Sequence, residues 1–349
     1  MKNHYLAAAL MGTMVFAASA GTLDQDIPAL LAQHKIASVS FATIEHGKIG
    51  IVAAYGMQSA GVPATTQSLY NIASLTKPLT AETVLRAASA GKFTLDEPFA
   101  PTWTDPDLAG DPRSKLLTSR IALSHRTGFP NWRDKQGLRF MHDPGTTYGY
   151  SGEGFEYVAR FAEKRLGQTL DVAGQDLVFG PAGMKSSTYI AQPWFAGRVA
   201  VPHDAAGKAL KPTMIERANA ADLVYTTPRD YAAFMVDVLN DRGLSPAIAA
   251  ERSRMQTDRH AEACQGKVAA ACPREIGFGL GWEIYKFDSG TIMMHTGRDE
   301  GVFTLAYLDR TSGDGAVIFT NSADGHKIML PLLERLHANA EFYKFLSAQ

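Results

Sequence analysis

The chain has 349 residues, 46% hydrophobic and 20% charged, and its 34 basic and 35 acidic residues leave a formal net charge of -1. That length carries one large domain, or two interleaved ones, with a sizeable core. Near-neutral charge gives no electrostatic ground for a nucleic-acid partner or an anionic membrane surface. The first residues read as a targeting segment rather than as fold. Lys2 and His4 form a short n-region, residues 5–17 an apolar run too short to span a bilayer, and Ala18-Ser19-Ala20 a small-residue cleavage site. We expect residues 1–20 to be a signal peptide cut after Ala20, with no membrane span in the mature chain and a periplasmic or secreted location. No cysteine stands at the cleavage site, which argues against a lipoprotein.

Residues 23–34 read as a short amphipathic helix. Strand-like runs at 39–45 and 49–55, joined at His46-Gly47-Lys48, predict a hairpin. Ser74-Leu75-Thr76-Lys77 then leads into an apolar stripe at helical spacing (Leu75, Leu79, Val84, Leu85, Ala88) that Gly91 stops. Pro78 fits the first turn of that helix, where backbone N–H groups lack intrahelical partners. The middle of the chain is richer in helical periods, with the clearest at 155–166 and 228–240. From Gly277 strands return. Phe278, Leu280, Trp282 and Ile284 alternate with Gly279, Gly281 and Glu283, which predicts a one-faced strand whose glycine face lies close to a helix or ligand. Further strands are expected at 291–295, 302–308 and 316–320, and a closing helix over 328–345.

Strands at both ends with helices between predict a sheet region from residues 21–73 plus 277–349. A mainly helical region, 74–276, packs beside it, with a cleft at the seam. Cys264 and Cys272 lie close together in a polar, alanine-rich segment and read as a small disulfide-closed loop, with two unpaired thiols as the alternative. No histidine pair or second cysteine pair accompanies them, so no metal site is expected.

Three short motifs carry candidate chemistry. A serine and a lysine three apart on a helix share a face, so the Lys77 amine can reach the Ser74 hydroxyl, and an amine with a lowered pKa can take its proton. Ser74 also sits near the positive end of a helix dipole, where developing negative charge is favoured. The second motif is the turn-rich loop 144–152, where the Tyr150 phenol beside an ammonium can hold or relay a proton. The third is His295-Thr296-Gly297 at the end of a strand entering a glycine-containing loop. Such a triplet can line a cleft, pair with an extended substrate and donate a backbone N–H to an oxyanion.

Taken together in this order, the motifs resemble the serine β-lactamase and penicillin-binding protein superfamily, in its class C β-lactamase, D-alanyl-D-alanine carboxypeptidase and family VIII esterase branch. The resemblance covers most of the mature chain. Residues 123–130 (LSHRTGFP) are similar to its L-S-H-x-S-G-x-P segment, residues 180–184 (GPAGM) to its P-L-G-M turn, and residues 225–230 (YTTPRD) to its S-T-A-x-D helix start. It implies an α+β fold of the β-lactamase/transpeptidase type, with an antiparallel sheet from both chain ends flanked by helices and a mainly helical inserted region. It also implies acyl transfer with Ser74 as nucleophile, Lys77 assisting its deprotonation and Tyr150 as general base and acid. The backbone N–H groups of Ser74 and Arg298 would form the oxyanion hole, His295, Thr296 and Gly297 would line the cleft, and no metal or organic cofactor is required.

Two departures bear on the substrate. The family's Y-x-N motif reads Tyr150-Ser151-Gly152, so the amide that normally holds a β-lactam or peptide acyl group is missing. Loss of one such group costs about 1–3 kcal/mol unless another residue substitutes. Glu153 is near enough in sequence to fill the space, as an acceptor only. Histidine replaces lysine at position 295 and carries only partial charge at neutral pH. Arg298 adds a guanidinium that can pair with a substrate carboxylate or with the adjacent Asp299 or Glu300.

The expected function is therefore an exported serine hydrolase acting on small peptides, amides or esters, with D-amino-acid peptidase and carboxylesterase both open. A class C-like β-lactamase is the alternative, and a non-catalytic binder of penicillin or peptidoglycan fragments a second one. No G-x-S-x-G surrounds Ser74, which removes the α/β-hydrolase reading.

Overall fold

The computed structural model describes residues 22–349, so the expected signal peptide lies outside the described residues. The framework is a nine-stranded antiparallel sheet in the order β3-β2-β1-β11-β10-β9-β8-β7-β6. Its N-terminal strands are β1 (Ser38–Glu45), β2 (Lys48–Ser59) and β3 (Val62–Pro63). A separate two-stranded ladder pairs β4 (Tyr70–Asn71) with β5 (Tyr225–Thr226). The remaining strands are β6 (Thr257–Asp258), β7 (Glu275–Phe278), β8 (Glu283–Lys286), β9 (Thr291–Asp299), β10 (Val302–Asp309) and β11 (Gly315–Thr320). The longer helices are α1 (Leu23–His34), α2 (Thr76–Ser89), α3 (Gly152–Leu166), α4 (Pro228–Leu239), α5 (Pro246–Ser253), α6 (Met329–Arg335) and α7 (Ala340–Ala348). The fold is α+β, with the antiparallel sheet built from both chain ends. Among the described residues no helix is long and apolar enough to cross a membrane.

The central strands are buried on both faces. Met293, Ala306, Leu308, Val317 and Phe319 point into a core shared with α2, α3 and α4. Their alternates Ile292, Met294, Leu305, Tyr307, Ala316 and Ile318 point into a second core made with α1, α6 and α7. A one-residue slip would exchange the two sets and mispack both layers, which differ in the side chains they receive. Each of the larger side chains, the alanines aside, contributes about 1.5–3 kcal/mol by leaving water.

The β1–β2 connection is the tight turn expected from its sequence, with His46 and Gly47 at positive φ (49° and 77°). Two segments differ from expectation. The stretch 278–284 is two strands joined by a turn rather than one strand. Gly279 N–H bonds to the Trp282 carbonyl, and Gly281 adopts φ 86°. The close helix approach expected there is real. A Cβ on Gly281 would lie 2.3 Å from that of Ala81 in α2, so only glycine fits. The closing helix over 328–345 is likewise two, α6 and α7. His337 at φ 54° ends the first, and the Asn339 side chain caps the second through the N–H groups of Glu341 and Phe342. Cys264 and Cys272 are joined, with their Cα atoms 5.7 Å apart. They therefore leave no thiolate to ligate metal beside His260, which lies near both sulfurs.

Candidate active site

Ser74 lies in a single 3-10 turn, Ala73–Leu75, that runs straight into α2. Ala73 holds φ 48°, a left-handed conformation that costs a non-glycine residue about 1–2 kcal/mol. The surroundings over-determine it. Ala73 N–H donates to Asn71 Oδ1 (2.8 Å), Ile72 N–H to the Val224 carbonyl (3.0 Å), and Thr304 Oγ1 to the Ile72 carbonyl (2.9 Å). Asn71 Nδ2 donates to Asp299 Oδ2 (2.9 Å), which ties the turn to β9.

One helical turn further on, Lys77 is fully buried. Its Nζ donates to Ser74 Oγ and to the Ala221 carbonyl, both at 2.9 Å. Burial lowers the Lys77 pKa to about 7, while the negative charges of Asp222 and Glu156 pull it upward without offsetting that. Asp222 moves the other way, to about 6, through its own burial and the nearby Asp299. The segment carrying Ala221 and Asp222 is held by Glu156 Oε1, which accepts from Ala220 N–H (2.6 Å), and by Thr80 Oγ1, which donates to the Ala220 carbonyl (2.7 Å).

Tyr150 precedes α3 on the loop, with Lys77 Nζ 4.8 Å from its ring centroid. His125 brackets it. Gly149 N–H donates to the His125 carbonyl (2.8 Å), Ser151 N–H to His125 Nδ1 (3.1 Å), and the two rings stack at 4.3 Å. Burial pushes the Tyr150 phenol well above its ordinary value, against a smaller opposing effect of the Ser74 hydroxyl. The free site thus holds a protonated phenol beside an amine poised near neutrality.

His295 also reaches this place, with its ring centroid 6.1 Å from that of Tyr150. Its Nδ1 faces the Thr296 carbonyl at 2.7 Å. A carbonyl only accepts, so the proton sits on Nδ1, and the buried Nε2 is an acceptor with no partner among the described residues. Burial and the Lys77 charge lower its pKa to about 3, so it is neutral. The triplet is not a strand end followed by a loop, since β9 continues to Asp299. Residues 291–294 pair with β8 and 292–299 with β10, so beyond Met294 the strand offers a free edge. A Cβ on Gly297 would lie 3.0 Å from Ser74 N and 2.4 Å from the Ile72 carbonyl, so glycine is what lets β9 pass the nucleophile. Thr296 and Arg298 are exposed, and Arg298 makes no ion pair with Asp299 or Glu300. A cavity of about 180 Å³ opens beside these groups, lined by Tyr148, Tyr150, Phe278, His295 and the Arg259–Glu283 pair.

The structure brings Ser74, Lys77, Tyr150, His295, Thr296 and Gly297 to one centre. Glu153 does not fill the space beside Gly152. Its carboxylate is buried and held by Arg133 Nε and Nη2 (3.0 and 2.8 Å). Asp222, Glu156 and Trp132 are part of this neighbourhood and were missed from the sequence, since nothing local in residues 131–133 or 219–223 marks a site.

The sequence model of the Beta-lactamase family matches residues 23–339. Penicillin-binding protein 4 of Amycolatopsis lactamdurans is 24% identical over 335 residues, covering 88% of this chain and 87% of that protein. Esterase EstB of Burkholderia gladioli is 28% identical over 222 residues, covering 54% and 55%. Among solved structures, the D-alanine carboxypeptidase AmpC of Burkholderia cenocepacia shares the fold with a TM-score of 0.72 at 20% identity, over 94% of this chain and 98% of that one. The chain belongs to the beta-lactamase family and is a serine hydrolase of its β-lactamase, penicillin-binding protein and esterase type.

Proposed function

We propose that the protein is an exported serine hydrolase that cleaves small peptide, amide or ester substrates through an acyl-enzyme on Ser74. The observation that carries this reading is the 2.9 Å contact from the buried Lys77 amine, lowered to about 7, to Ser74 Oγ. As the neutral amine it takes the Ser74 proton while Oγ bonds to the substrate carbonyl carbon. The N–H groups of Ser74 and Arg298 then bind the oxyanion. The Tyr150 phenol gives its proton to the leaving group and regains one from the Lys77 ammonium. Water repeats the sequence to release the acid and restore Ser74. In this reading lysine is the base and tyrosine the relay, because burial lowers the Lys77 amine to about 7 and pushes the Tyr150 phenol well above its ordinary value.

A class C-like β-lactamase is the less favoured reading, since the amide at position 152 is absent and His295 carries no charge. The D-peptidase and carboxylesterase branches both fit the proton-transfer groups, and the similarity to a penicillin-binding protein and to an esterase supports both. The test is labelling of the mature protein with a fluorescent serine-directed phosphonate and a fluorescent penicillin, read by intact mass beside Ser74→Ala. Phosphonate labelling confined to Ser74, with turnover of p-nitrophenyl esters or D-residue peptides, is expected. A penicillin adduct that never turns over, with no hydrolysis of any substrate, would replace the enzyme reading with that of a binder.

A further inference from the structure

The position where the chain departs from the Y-x-N pattern is not empty. A Cβ on Gly152 would meet Trp132 at 2.7 Å (Cη2), 2.8 Å (Cζ2) and 2.9 Å (Cζ3). An indole from a loop twenty residues earlier therefore stands where a side chain at position 152 would project. The ring is firmly mounted. Gly152 N–H donates to Asn131 Oδ1 (2.9 Å), Glu153 N–H to the Asn131 carbonyl (3.0 Å), and Ser151 Oγ to the Pro130 carbonyl (2.7 Å). On the other side Arg133 is anchored to Glu153 and Asp105. Both neighbours of Trp132 are thus fastened to the start of α3, two residues past Tyr150. Yet Trp132 itself is 42% exposed.

A large apolar ring held against the start of α3, two residues past Tyr150, and left open to water offers a flat binding face. We propose that Trp132 is the specificity-determining residue of the acyl site, replacing a hydrogen-bonding amide with an aromatic face that binds apolar acyl groups, aromatic ones best. This rests on Ser74 being the nucleophile. It narrows the substrate class to esters or amides of arylacetyl-like acids and disfavours acyl groups recognised through their own amide.

The experiment compares wild type, Trp132→Ala, Trp132→Phe and Trp132→Ala/Gly152→Asn on p-nitrophenyl phenylacetate and p-nitrophenyl acetate. The phenylacetyl-to-acetyl ratio of kcat/KM should fall about tenfold in Trp132→Ala, through KM, and be largely kept in Trp132→Phe. The double variant should lose the aryl preference and gain on N-acylated peptide esters. Calorimetric binding of phenylacetyl-D-alanine to Ser74→Ala protein, with and without Trp132→Ala, reads the same subsite without chemistry. Equal affinity of those two proteins would overturn the inference even if esters are hydrolysed. Weaker binding without Trp132, in a chain whose Ser74 is never acylated, would sustain the inference while removing the proposed function.

Discussion

Around the nucleophile, the polar groups of Asn71, Ala73, Ser74 and Lys77 have partners inside the protein. At the positions Trp132, Gly152, His295 and Arg298 the picture differs: the His295 Nε2 has no partner among the described residues, and Trp132 and Arg298 are exposed. The first region is closed and its geometry is fixed by several independent bonds. The second is open, and this is where the chain departs from its family's pattern. Proton transfer demands positions good to a fraction of an ångström, whereas recognition can be rebuilt from another loop.

The sharpest way to break this comparison is Ser74→Ala. If the closed region holds the chemistry, turnover of a p-nitrophenyl ester falls about 10⁴-fold or more, and a loss under tenfold would move the reaction elsewhere. Lys77→Gln keeps a donor but removes the titrating amine. We expect a loss of about 10³-fold, and the acid limb of kcat/KM, which in wild type rises through pH 7 as the amine loses its proton, should disappear. Tyr150→Phe should cost about 10²-fold and weigh most on substrates with poor leaving groups, because those need the relayed proton. An equal loss on p-nitrophenyl and alkyl esters would contradict that role. Smallest is Asp222→Asn. The Asp222 carboxylate raises the Lys77 pKa, so removing its charge should move the acid limb to lower pH, as a pH–rate profile would show. A shift to higher pH would mean that another group sets the limb.

The same lysine carries a stability signature, a penalty present at low pH rather than a gain present at high pH. Its folded pKa, about 7, lies below the ordinary 10.5. Between those values the unfolded chain holds a proton that the folded chain does not, so this group's contribution to stability improves as pH rises across the window.

Sequence patterns found the nucleophile turn because S-x-x-K and the stripe Leu75, Leu79, Val84, Leu85 lie within one helix. They found the sheet because alternation is local to each strand. They did not find the turn at Gly279–Trp282, whose residues keep an alternating pattern while Gly281 reverses the chain against Ala81. Nor did they find the break at His337, where the apolar content continues through a left-handed residue. At the site, Trp132 and Asp222 were illegible for one reason. Each acts through a neighbour far away in the chain, and no spacing rule relates 132 to 152 or 222 to 77.

The pairing of β1 with β11 joins residues 271 to 281 positions apart, and the Asn71–Asp299 bond joins the two sides of the reacting centre across 228. During synthesis at about 5–20 residues per second, the β1–β2 hairpin waits roughly 15–50 seconds for its partner. Until then it exposes an unpaired edge that any other strand could join. The nascent chain is therefore both inert and vulnerable to aggregation. The site is complete only once β9, which carries His295 and Gly297, lies against the turn of Ser74.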